Sequence, residues 1–140
     1  MRPALLLLLT VAVLAAEDRA SKPAAEDIGR IANTWRIELS DGQDLLAAVE
    51  RVIAEHKIND GIVLTGVGNV ASCRYHSIDG KIVDVAERTA LISLAGPVTK
   101  SKPHLHVSVA PQNGPVGAGH LERGCKAGSH VEILVAAFAR

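Results

Sequence analysis

The chain has 140 residues, with 15 basic and 15 acidic side chains and no formal net charge. It therefore reads as one domain, without the basic surface that a nucleic-acid or anionic-membrane protein carries as a whole. Hydrophobic residues make up 48% of it but aromatic ones only 2%, which excludes a disordered chain and an aromatic stacking platform for single strands.

Residues 1–15 have the pattern of a signal peptide. Arg2 precedes an apolar run over 5–14, and small residues lead to a cleavage site after Ala15 or Ala16. A spanning helix needs about 20 apolar residues, and Glu17, Asp18 and Arg19 stop this run short of that. The expectation is a periplasmic or secreted protein with no membrane span once the signal is removed. Residues 16–32 are polar and Ala-rich and read as a leader, leaving 33–140 as the domain.

Within that domain, 34–39 (TWRIEL) alternates polar and apolar residues, which suggests a strand. Ser40-Asp41-Gly42 offers capping and turn chemistry. Residues 43–56 then carry Leu45, Leu46, Val49, Val52 and Ile53 at helical spacing, with His56 as a favourable cation at the helix end. Residues 61–65 (GIVLT) form an aliphatic strand that Gly66 and Gly68 should break, and 70–78 resumes as a strand. Asp79-Gly80 marks a hairpin into 81–85. Residues 89–95 and 104–110 read as two further strands, 112–119 (QNGPVGAG) as a loop, and 131–138 as the closing strand. One main helix with about six or seven strands on short connections is an α+β fold with a mostly antiparallel sheet.

The chemistry concentrates in 103–110 (PHLHVSVA). In a strand, residues two apart share a face, so His104, His106 and Ser108 lie opposite the core-forming Leu105, Val107 and Val109. Two imidazoles at that spacing can reach one ion. His120, in the glycine-framed 117–121 segment (GAGHL), can be folded back over them. Three neutral imidazoles suit zinc and leave a fourth position for water or a small ligand. The bland alternative is solvated histidine on a half-exposed face. His76 and His130, on other strands without an evident partner, read as structural. Glu87, Glu122 and Glu132 are scattered, and Glu122 reads as a solvated loop residue. Cys125 is open to three roles: a fourth ligand, a disulfide partner for Cys73, or a small buried hydrophobe. No dinucleotide fingerprint, nucleophile elbow or phosphate loop is present, and no residue is assigned a catalytic role.

The order of segments is similar to a known family. These are 41–46 (DGQDLL) opening the helix, 61–68 (GIVLTGVG), 91–96 (LISLAG), 103–108 (PHLHVS) and 119–121 (GHL). Together they resemble the plant and prokaryote conserved domain, which occurs alone in prokaryotes and behind AT-hooks in plant nuclear proteins. The resemblance implies an α+β fold, assembly as a homotrimer, and zinc held by histidines of the PHLH and GGH segments, which here are His104, His106 and His120. Ala118 stands where the first glycine of GGH is usual, and His130 where a small residue is usual. The minor-groove AT-hook needs a short Arg-Gly-Arg-Pro element, and the chain has none.

Three functions are consistent with these features. The leading one is an exported trimeric protein with a three-histidine zinc site that binds a small molecule or a protein partner there. A metal-dependent hydrolase or lyase is second, weakened because no carboxylate is placed as a general base. DNA binding, as in the AT-hook members, is third and is disfavoured by the neutral charge.

Overall fold

The computed structural model describes residues 24–139; the expected signal peptide lies outside them. The elements are β1 (Arg30–Leu39), α1 (Leu45–Glu55), β2 (Asp60–His76), β3 (Ile82–Val85), β4 (Thr89–Thr99), β5 (Lys102–Pro103), β6 (His106–Pro111), β7 (Gly117–Leu121) and β8 (Lys126–Ala139). The eight strands form one sheet in the order β1-β8-β2-β7-β6-β4-β5, with β3 on β2 and a further β2–β4 pairing. Each of these pairings is antiparallel. This is the expected α+β architecture, with β5 and β7 added to the strands legible in the sequence. Among the described residues no helix is long and apolar enough to cross a membrane.

β2 organises the molecule. Its first part pairs with β8 on one edge and β4 on the other, and its last two residues pair with β7. The pairings β2–β4, β4–β6, β6–β7 and β7–β2 therefore close a ring. Gly66 and Gly68 do not break β2 as expected; they let it curve. A Cβ at Gly66 would stand 2.8 Å from Leu94 Cβ, and Gly68, at φ +138°, lies against the backbone of His130 and Val131. Register shifts against β8 flank this stretch, the bulge geometry that bends a strand. β1 likewise begins at Arg30, inside the segment expected to be a leader.

Asp44 caps α1 by accepting from Ala47 N at 3.0 Å, an arrangement worth about 1 kcal/mol. Its second oxygen accepts from Gly124 N at 2.7 Å, and Leu45 N donates to Cys125 O at 3.0 Å. The helix start is thereby stitched to the turn after β7. Leu45, Ala48, Val49 and Ile53 bury the inner face of α1 in an aliphatic core with Val63, Val70, Leu94, Val107, Val109 and Ile133. At the other end His56 is the C-cap, and its ring stacks on Trp35 at 4.7 Å.

Cys73 and Cys125 form a disulfide with Cα atoms 3.7 Å apart, which selects one of the three roles open to Cys125. Both are buried. The bridge ties β2, just before its last residues, to the turn between β7 and β8.

Candidate metal centre

The expected alternation holds through the PHLH segment. Leu105, Val107 and Val109 are buried, whereas His104 and His106 are exposed. The strand ladder starts only at His106, two residues later than expected. His104 is fixed instead by its backbone N–H, which donates to Pro97 O at 2.9 Å. Gly96, at φ +153°, permits this approach, because a Cβ there would stand 3.0 Å from the His104 carbonyl carbon and 3.1 Å from Leu105 Cα.

His120 was expected on a loop but sits on β7, between β2 and β6. Its register partners are His106 on one side and His76 on the other. Gly117 and Gly119 face Tyr75: a Cβ on Gly119 would lie 2.7 Å from Tyr75 Cδ2, and one on Gly117 would lie 3.0 Å from Cζ. Ala118 and His120 point to the opposite, outer face, where Ala118 is exposed. The alanine at the first position of the GGH-like segment is therefore accommodated without cost, since the two tight positions are Gly117 and Gly119.

These constraints bring the three predicted histidines together. His104 Nε2 and His106 Nε2 are 3.2 Å apart, and ligand atoms of His104, His106 and His120 all lie within 4.8 Å of one another. The His120 ring stands edge-on to His104 and His106, with centroids at 4.5 and 5.8 Å. Tetrahedral zinc with Zn–N bonds of about 2.0–2.1 Å requires nitrogens roughly 3.3 Å apart. The His104–His106 pair already has that spacing, and the widest separation closes by about 1.5 Å of side-chain movement. The residues fit the ion. Burial, then the neighbouring His104 and His76, hold the His120 imidazole below its ordinary range, with Glu122 opposing. That favours the neutral ring, the form that binds a metal.

The trio opens into a cleft of about 550 Å³ lined also by His76, Ser77, Ile78, Gly80 and the β7 backbone. His76 was expected to be structural and without a partner, and Glu122 to be a solvated loop residue. Both belong to this site instead. The His76 ring stacks on His120 at 4.8 Å, with planes 29° apart, and its Nδ1 lies 2.7 Å from Glu122 Oε1. The sequence held a faint signal for each. Arg74 and His76 alternate with the buried Cys73 and Tyr75, and Glu122 follows His120 by two residues, so it shares that face. His130, on β8, is exposed and takes no part in lining the cleft.

The comparisons with known proteins agree with this architecture. The bifunctional protein GlmU of Synechococcus sp. (strain JA-2-3B'a(2-13)) is 31% identical over 104 residues, 73% of this chain but only 16% of that protein, so the chain spans about a sixth of its relative's length. Three solved structures share the fold. The plant- and prokaryote-conserved protein of Pyrococcus horikoshii superposes with a TM-score of 0.68 at 22% identity, covering 84% of this chain and 86% of that one. The metal-containing protein AF0104 of Archaeoglobus fulgidus gives 0.63 at 22% identity, over 79% and 83%. A candidate DNA-binding protein of Bacteroides thetaiotaomicron gives 0.69 at 18% identity, over 79% and 82%. The model of the Plants and Prokaryotes Conserved domain matches residues 26–139, which is the whole of the folded sheet and helix: the chain belongs to that family.

Proposed function

We propose that this is an exported, trimeric member of the family that holds one zinc ion with His104, His106 and His120 and binds a small ligand or a protein partner at the remaining coordination position. The observation that carries the reading is the 3.2 Å separation of the His104 and His106 ring nitrogens, with His120 delivered to them by the β6–β7 register. Zinc bound this way supplies a Lewis acid with one exchangeable position. The chain's own part is to fix three imidazoles at the mouth of an open cleft.

Other observations support the remaining terms. A disulfide is stable in an oxidising compartment, which agrees with export. Leu64, Val67 and Ile92 are large exposed apolar residues on β2 and β4, surface that self-association would cover. The metal content of the Archaeoglobus relative agrees with the ion.

Elemental analysis of protein purified without a histidine tag tests the reading. One zinc per chain is expected, lost in His104→Ala and His106→Ala and retained in His130→Ala. A metal-free wild type, or metal retained in both ligand variants, overturns it. A metal-dependent hydrolase or lyase is the second reading. It is favoured by the Glu122-bound imidazole of His76, which supplies the carboxylate-oriented base that scattered acidic residues in the sequence did not reveal. Turnover of a small ester that disappears with the metal would move the assignment there. A salt-sensitive DNA complex would move it to the DNA-binding members instead.

A further inference from the structure

Metal-binding histidines ordinarily donate their second ring N–H to a carboxylate or carbonyl, which fixes the plane of the ring and its tautomer. Among the described residues no such hydrogen bond reaches the His120 ring. His76 is instead laid against it, with centroids 4.8 Å apart and planes 29° apart. The β2–β7 register sets the two residues opposite each other, so the sheet brings the two rings within stacking reach. His76 is itself anchored, because its Nδ1 donates to Glu122 Oε1 at 2.7 Å. Glu122 in turn is tied back to β2, its backbone N–H donating to Arg74 O at 3.1 Å.

We propose that His76 and Glu122 are the positioning pair of the metal centre: Glu122 orients His76, and the His76 ring holds His120 edge-on to His104 and His106. This rests on the three-histidine reading above. The support for His120 is then a stacked ring that carries its own carboxylate, in place of a direct hydrogen bond. A pair of this kind narrows the torsions of His120 before an ion arrives, so its loss weakens binding without touching a ligand. Partners of metal ligands typically contribute about 10–100-fold to affinity, and a partner acting through a stack belongs at the low end of that range.

Cobalt(II) titration of the untagged full chain, read by its visible absorption and by competition with a chelator, tests the pair. His76→Ala is expected to bind about tenfold more weakly, with an altered cobalt spectrum and an unchanged melting temperature of the metal-free protein. His76→Phe, which keeps the stacked ring, should recover most of the affinity and the wild-type spectrum. Glu122→Ala should fall between wild type and His76→Ala. His76→Ala with wild-type affinity and spectrum overturns the proposal, as does a His76→Phe as weak as His76→Ala. If wild type binds one ion that His104→Ala abolishes while His76→Ala is unaffected, this proposal alone fails. If wild type binds none, the three-histidine reading fails and takes the pair with it.

Discussion

Gly119→Ala should separate β7 from β2 and disable the site from beneath. The added Cβ would fall on the His76 carbonyl group, 2.9 Å from its carbon and 2.7 Å from Tyr75 Cδ2, whereas non-bonded carbons settle about 3.5–4.0 Å apart. Tyr75 is buried and the His76 carbonyl is backbone, so neither yields as a surface side chain would. β7 must move by about 1 Å. Overpacking of this kind costs about 1–3 kcal/mol, and a strand hydrogen bond lost with it adds about 1 kcal/mol. At about 4 °C per kcal/mol for a domain of this size, melting should fall by about 8–16 °C. Moving β7 displaces His120 from His104 and His106, whose ligand atoms already have to close from 4.8 Å, so affinity should fall about tenfold even where the variant is folded. Ala118→Gly is the control, because Ala118 faces outward; it should cost about 0.5–1 kcal/mol and leave affinity intact. Thermal unfolding of the metal-free protein and cobalt titration read both effects. A Gly119→Ala protein that melts within about 2 °C of wild type and binds metal normally would refute the argument.

Two further outcomes are expected. Denatured, unreduced protein should show no reactive thiol, and replacing both Cys73 and Cys125 should cost roughly 4 kcal/mol in the loop-entropy account for a separation of 52 residues; two free thiols would remove the bridge. Protein recovered from the periplasm or medium should begin near Ala16 or Glu17 and scatter light as a trimer. An intact Met1 in the cytoplasm would remove the export, and a mass near that of one chain would remove the trimer.

What the sequence made legible were the parts governed by local periodicity. The helix carried its own apolar face, although its cap is Asp44 and not the Ser40-Asp41-Gly42 segment read as capping, and the PHLH segment carried its alternation. β7 was not legible, because glycine and alanine have no strand preference; its conformation comes from Gly117 and Gly119 lying flat on Tyr75. β2 was divided in two for the opposite reason, since glycine punctuation signals a break when a bulge in a long strand uses the same residues. The partnership of His76 with His120 and Glu122 spans more than forty residues of chain. It rests on a register that no local pattern encodes.

Register and glycine packing also supply the test that separates a metal site from a solvated row of imidazoles. Two of the three are held where a strand is pressed against its neighbour at a glycine that leaves no room for a side chain: β4 meets the His104 backbone at Gly96, and β7, which carries His120, meets the His76 backbone at Gly119. Gly96 is held at φ +153°, a conformation that other residues rarely adopt. Were the histidines ordinary surface residues, a small side chain at either glycine would require only a modest widening of the sheet, with no consequence beyond stability. Under the metal reading each change also moves a ligand, so Gly96→Ala should lose metal affinity out of proportion to its melting temperature. A stability loss confined to folding, with the affinity of the folded fraction unchanged, would return the histidines to the surface.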